Sequence, residues 1–444
     1  MTVKYLISSL IICICIPACS AVQKTGNLLA TDARIHLEST DGLLHGSACN
    51  VSALPITGIR IVHVKTEAQL QSAISSLQSG DTIVLANGRY NLTGSIYINN
   101  KDDVTIRGVS GCDDVVLVGK GMDSANYGNV LYGIWSNSVH TTIAHLTIRE
   151  TYENEVVFNA GTQSPHVYSV KLLDAGSQFI KSNPTDAANG IGVKNGIIEY
   201  SWFEYTNGTP HHAGKIGYTN GISAHAVDGW KIRGNLFKNL HTPDSADYLW
   251  NPAVLVWNHS KNTVTENNVF INVDRSIAYG LQDVGGFDHY GGVIRNNFVY
   301  LAPNLMSEYR GANSDASILV WNSPTSAVYH NTILTNNNVT NSIEYRFNTF
   351  GAEARNNLSD APISTRDGGT CHRSGNYLSA NTDIFVDAPS GNLHLVDTPD
   401  IRAKVIIDTA SSALVSTDID GAPRPSGGKV NAGADEFVEL KVGK

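Results

Sequence analysis

Along most of this chain, apolar and polar positions alternate in short runs that recur in a fixed order. One type of run carries an Asn between two short strand-like pieces: Arg233-Gly-Asn235-Leu-Phe, Glu266-Asn-Asn268-Val-Phe, Arg295-Asn-Asn297-Phe-Val, His330-Asn331-Thr-Ile-Leu and Arg355-Asn-Asn357-Leu. A second type reads Asn220-Gly-Ile-Ser-Ala-His225, Ala253-Val-Leu-Val-Trp257, Arg275-Ser-Ile-Ala-Tyr279, Ser317-Ile-Leu-Val-Trp321 and Ser342-Ile-Glu-Tyr-Arg346. The Asn positions 235, 268 and 297 are 33 and 29 residues apart. Short strands at that period, with no helices between them, predict a stacked solenoid in which each coil buries its apolar face against the next.

The period-2 rule assigns the faces of the second type. Aligned, Ile180, Ile222, Val254, Ile277, Ile318 and Ile343 take one position, and Ser182, Ala224, Val256, Tyr279, Val320 and Tyr345 the position two residues on. These point inward. The alternate positions then point outward, and they include Lys181, His225, Trp257, Trp321 and Arg346; Arg275, two positions before Ile277, is also read as facing out, beside Asn220 and Gln178. A one-residue slip would turn a row of Ile and Val toward water, so this register is the one expected. Asn235, Asn268, Asn297 and Asn357 are expected to stack as an amide ladder that satisfies a buried turn, a structural role. Longer insertions at 182–193, 206–219, 241–251, 282–290 and 304–315 are expected to build the walls of a groove.

The start of the repeat has a different period. Thr66 is a candidate N-cap, and Leu70, Ala73, Ile74 and Leu77 fall on one helical face. A turn and a buried strand follow in Gly80-Asp-Thr-Ile-Val-Leu-Ala-Asn-Gly-Arg-Tyr90. This entry segment resembles the opening of right-handed parallel β-helix proteins of the pectate-lyase-like superfamily. Asp418-Ile-Asp-Gly-Ala-Pro-Arg424 with Asn431-Ala-Gly-Ala-Asp-Glu-Phe437 resembles a terminus common in bacterial members. The resemblance implies an all-β, right-handed parallel β-helix with an N-terminal capping helix, over residues 59–437. It does not select an activity, because lyases, hydrolases, epimerases and adhesins share the fold.

Composition narrows the partners. Charged residues are 16% of the chain and the net charge is −9, which excludes the basic stripe of a nucleic-acid binder. A local basic cluster remains compatible with an anionic ligand. Residues 1–19 read as an export signal: Lys4, then an apolar run over 5–16 too short to span a membrane, then Ile16-Pro17-Ala18-Cys19-Ser20. That ending resembles the lipobox of bacterial lipoproteins, which implies lipidation at Cys19 and a place in the cell envelope, with membrane contact only through the lipid. Ordinary secretion is the alternative. Residues 20–58 read as a tether and irregular lead-in, and 438–444 as a tail. Cys49, Cys112 and Cys371 remain after the signal and allow at most one internal disulfide.

The outward row combines aromatic faces, which stack on sugar rings, with cations, which suit carboxylates. The partner expected is an acidic polysaccharide, bound by a monomer. The sharpest chemical reading is β-elimination, which needs a base for the proton beside a uronate carboxylate, a neutraliser for that carboxylate and a donor for the leaving oxygen. Lyases of the superfamily use Lys, Arg or His for proton transfer, often with Ca²⁺, so the resemblance implies the same here. Lys181 and His225 sit on neighbouring coils, roughly 4.8 Å apart along the axis. Lys181 is the first candidate base and His225 the second, with Asp228 as its orienting partner. Arg275, about three coils or 14 Å away, is assigned the carboxylate of an adjacent sugar. Trp257, Trp321, Arg346, Asn220 and His212 are candidate substrate contacts. Asp283 and Asp288 are candidate Ca²⁺ ligands. A glycoside hydrolase, a C5-epimerase and a non-catalytic surface binder are the competing readings. The hydrolase needs two flanking carboxylates, which the outward strand positions do not supply.

Overall fold

The computed structural model describes residues 48–49, 51–212, 214–246, 251–407, 415–425 and 429–437. The signal, Cys19 and most of the tether lie outside these residues, as does the tail. The described chain is a right-handed parallel β-helix. Its coils place three strands each on three faces. Sheet I runs from Arg60–Val64 to Cys371–Ser374, and sheet II from Gly88–Asn91 to Leu358–Ser359. The two are joined through the long strands Thr142–Arg149 and His166–Leu173, which bend across both faces. Sheet III is 10-stranded, from Ile96–Ile98 to Ile363–Arg366.

One residue per coil in left-handed backbone makes the corner between sheets I and II. It is His145, Ser169, Tyr200, Gly234, Asn267, Asn296, His330 and Asn356 in successive coils, with φ between 51° and 63°. Such φ values disfavour β-branched side chains, which explains why Asn and Gly recur there. The Asn that follows each of the later corners forms the expected ladder. Asn235 Nδ2 donates to Asn268 Oδ1 (2.9 Å), Asn268 to Asn297 (3.0 Å), Asn297 to Asn331 (2.9 Å), Asn331 to Asn357 (3.0 Å) and Asn357 to Asn376 (3.0 Å). Inside the coils Phe203, Phe237 and Phe270 stack face to face at 4.5 and 4.8 Å.

The N-terminal end is closed by the helix Glu67–Ser75. Thr66 Oγ1 accepts from Gln69 N, and Leu70, Ala73 and Leu77 are buried against the first coil. Two segments pack outside the coils. Residues 48–57 are not a free tether: Cys49 is disulfide-bonded to Cys112, Leu54 N donates to His145 Nε2, and Tyr168 OH donates to Ser52 O. At the other end, the described residues within 380–437 are not further coils. Their apolar side chains, among them Phe385, Leu393, Ile401 and Val405, cover the outer face of sheet II at Leu236, Val269, Phe298 and Leu334. Arg424 fastens this segment: it pairs with Glu436 at 2.8 Å and donates to Asn296 Oδ1 and to the carbonyls of Gly433 and Ala434.

Candidate active site

Strand pairing in sheet III is in the expected register. Ile180 pairs with Ile222, Ile222 with Val254, Val254 with Ile277, Ile277 with Ile318, and Ile318 with Ile343. All six are fully buried. The outward row is therefore Lys181, Ser223, Leu255, Ala278, Leu319 and Glu344, followed two residues on by His225, Trp257, Trp321 and Arg346. The insertions flank this face on both sides. Residues 206–219, 241–251 and 304–315 enter sheet III from sheet II, while 182–193 and 282–290 leave it toward sheet I.

Lys181 and His225 meet. Lys181 Nζ lies 2.5 Å from His225 Nε2 and 3.4 Å from Ser223 Oγ, and Ser223 Oγ is 3.3 Å from the same ring nitrogen. The other ring nitrogen, Nδ1, lies 2.6 Å from the side-chain amide of Asn258. The Trp257 ring packs 4.8 Å from the imidazole. Burial, and then Lys181, hold His225 neutral, with its pKa pushed down to about 3. Burial, and then Lys215, lower Lys181 to about 8. Only one proton fits between Nζ and Nε2. Either the ammonium donates to a bare Nε2, with Nδ1–H facing the Asn258 oxygen, or Nε2–H donates to the lone pair of a neutral amine, with the Asn258 NH₂ donating to Nδ1. The second arrangement occupies the amine lone pair, whereas a neutral Lys181 that donates one N–H to bare Nε2 keeps its lone pair free, as a base requires.

Lys215, from the 206–219 insertion, stands over this pair. Its Nζ donates to Ser177 Oγ at 2.8 Å, lies 3.6 Å from Glu153 and sits over the Tyr218 ring. Tyr218 OH accepts from Gln178 (2.6 Å) and Asn251 (3.2 Å), and burial keeps its proton on far above neutral pH. The sequence does not single out Lys215, Tyr218 or Asn258: the first two lie in the 206–219 insertion and Asn258 just past its strand. None of the three falls on the strand alternation that revealed Lys181.

The other candidates are placed elsewhere. Arg275 is not in the groove: it pairs with Asp315 at 2.5 Å and donates to the carbonyls of Asn313 and Ser314. Trp321 is 6% exposed, inside a cluster with Leu255, Ala278 and Leu319, and its Nε1 donates to Glu344 at 3.0 Å. Arg346 stacks on Trp321 and Phe347 and pairs with Asp367 at 2.5 Å. These contacts close the C-terminal half of the outer face. Asn220 is fully buried and donates to Pro252 O, so it supports the chain rather than a ligand. Asp228 lies at the corner after the strand, beside Lys261 and Asn262, and Asn258 takes the position against His225 that it was assigned. His212 is stacked on Tyr152 at 4.5 Å, with Nε2 3.0 Å from Gly176 O, and forms part of a wall.

Asp283 and Asp288 do not form a cation site together. Asp288 is buried and its oxygens accept from Asn258 N, Leu281 N and Gln282 N, whereas Asp283 is exposed. Among the described residues, the side chains grouped closely enough to share a metal are His394, Asp420 and Asp435, in the segment outside sheet II.

No family model matches the chain, and no curated protein matches it in sequence. Solved structures align with it at low similarity. An alginate lyase from Paenibacillus sp. str. FPU-7 is 18% identical with a TM-score of 0.45, over 76% of this chain and 98% of that one. The pectate lyase Pel9A is 12% identical with a TM-score of 0.41, over 85% and 96%. The A-module of a mannuronan C-5 epimerase from Azotobacter vinelandii is 12% identical with a TM-score of 0.41, over 70% and 87%. The strand topology makes this chain a right-handed parallel β-helix, and these carbohydrate-active proteins are among those it is similar to.

Proposed function

We propose that the groove binds a uronic-acid-containing polysaccharide and cleaves it by β-elimination, with Lys181 as the base. The observation that carries this reading is the 2.5 Å contact between Lys181 and His225 on the outer strand face, where burial disfavours both cations. In the step proposed, the Lys181 lone pair takes the C5 proton. The C5–H electrons form the C4=C5 double bond, the C4–O bond breaks, and its pair leaves with the glycosidic oxygen. The Lys181 ammonium then returns its proton to that oxygen, which resets the base. Neutral His225 accepts a hydrogen bond from the transient ammonium and fixes where its lone pair points. Lys215 supplies positive charge toward the substrate carboxylate.

The hydrolase reading is less well supported. The outward positions of the groove coils carry no carboxylate, and the nearby Glu153 faces Lys215. The export signal ending at Cys19 supports action in the cell envelope. The test is incubation with alginate, pectate, chondroitin and heparin-type glycans, with Ca²⁺ and with chelator, while ultraviolet absorbance of the unsaturated product is followed. Absorbance on a uronate polymer is expected. Reducing ends without absorbance would sink the lyase reading in favour of hydrolysis. Binding with neither product would favour a non-catalytic binder, and sugar inversion without cleavage an epimerase.

A further inference from the structure

The outward row does not begin at Lys181. Sheet III pairs Lys181 with Val157, Val157 with Trp135, and Trp135 with Tyr97. Ile96, Ile98, Ile134 and Ser136 are buried on the inner side, so Tyr97 and Trp135 stand outward on the line that carries Lys181. Tyr97 is 41% exposed and Trp135 half-buried, with ring centroids 5.8 Å apart. Val157, between them and Lys181, is a small side chain and is buried. Beside this floor runs a second line two residues on. Asn137, Asn159 and Asn183 continue the ladder through their backbone N–H groups to Ile98 O, Ser136 O and Phe158 O, and Asn183 Nδ2 donates to Asn159 Oδ1 at 3.0 Å. That line reaches His225 in the next coil.

The opposite direction is closed. Leu255, Ala278 and Leu319 follow Lys181 and Ser223 in the row, and all three are fully buried under a cluster that includes Trp321, Leu281 and Phe347. Among the described residues, the outer face of sheet III is therefore exposed at Trp135 and Tyr97 on the N-terminal side of Lys181, beyond buried Val157, and covered on the other side.

We propose that Tyr97 and Trp135 form a stacking platform for pyranose rings of an acidic glycan lying one-sidedly along sheet III, two and three coils from Lys181. The proposal rests on the reading of the Lys181 groove as a uronate site. Coils repeat at about 4.8 Å, close to the advance of one ring in an extended glycan, so the platform meets rings two and three residues from the one at Lys181. An aromatic face takes the apolar face of a sugar ring, and side-chain amides exchange hydrogen bonds with its hydroxyls and carboxylate. Two side chains offer far less than the roughly 800 Å² per partner of a standard protein interface, which argues against a second copy as the occupant.

The test is calorimetric binding of alginate and pectate oligosaccharides of increasing length to the mature chain carrying Lys181→Met, which removes the base, with and without Trp135→Ala. Melting temperatures establish that both proteins fold, and Trp135→Phe, which keeps a ring, is the second variant. The expected result is about a tenfold loss for the hexasaccharide in Trp135→Ala, little loss in Trp135→Phe, and no change for the disaccharide. Equal hexasaccharide affinities, an equal loss at every length, or no binding by either protein would overturn the platform. Length-dependent binding, with no unsaturated product from the unsubstituted chain, would leave the platform standing while the lyase reading falls.

Discussion

Lys181 Nζ and His225 Nε2 approach to 2.5 Å across two neighbouring coils. Burial first, and Lys215 second, favour the neutral amine and lower its pKa to about 8. A base acts in its deprotonated form, so kcat/KM on a uronate polymer is expected to rise with pH through about 8 and then level off. His225, neutral above about pH 3, adds no second limb in that window. A profile already flat from pH 6 to 9 would contradict Lys181 as the titrating base.

Lys215 acts on Lys181 through its charge and faces the groove. Lys215→Met removes that charge while keeping the stem over Tyr218. The apparent pKa of the profile is expected to move upward, and KM for the polymer to rise, since the substrate carboxylate loses a partner. An unchanged profile measured over the same pH range would remove Lys215 from the site.

Trp321 illustrates how an outward position becomes core. Its indole is buried and bonded to Glu344, with the Arg346 guanidinium 4.3 Å above it. Trp321→Ala is therefore expected to cost about 3–5 kcal/mol of stability, read as a fall in thermal or denaturant midpoint. KM of the remaining folded enzyme should stay near that of the parent. A stable variant with raised KM would restore Trp321 to the ligand.

The segment that covers sheet II carries its own titration. His394 Nε2 lies 2.7 Å from Asp420. Burial opposes its charge, but the Asp420 hydrogen bond and the fields of Asp435, Asp420 and Asp418 raise its pKa overall. Asp435 is pushed up to about 7, first by burial. Both groups bind protons more tightly folded than unfolded, so stability is greatest at mildly acid pH. Asp435 loses its contribution as pH rises from its unfolded value, near 4, toward 7, and His394 loses its own above the unfolded imidazole range. Proteolysis of the C-terminal segment should accelerate between pH 5 and 8, less steeply in His394→Gln. A rate independent of pH would show that this cluster does not hold the segment.

Much of the fold was legible because a coil repeats its constraints. The Asn ladder follows from one left-handed corner per coil, and the buried Ile and Val row from strand alternation. Alternation also brought Lys181 and His225 together before any coordinates. It failed where insertions return over the sheet. It assigns Trp321 and Arg346 to the outer face, yet cannot show that Leu281, Phe347 and Asp367 cover or pair with them; Arg275 shares the parity of inward Ile277 and pairs with Asp315. Lys215 and Asn258 were hidden for the same reason, since their placement depends on loop paths. Tyr97 and Trp135 were within reach, because Ile96-Tyr-Ile98 and Ile134-Trp-Ser136 follow the same alternation.

Lys181→Met tests the central claim most directly, because it keeps the length of the side chain but carries no proton acceptor. On the uronate polymer cleaved by the parent chain, unsaturated product is expected to appear 10²–10⁴-fold more slowly, with polymer binding retained. Release of unsaturated product at the parental rate by this variant would contradict the account.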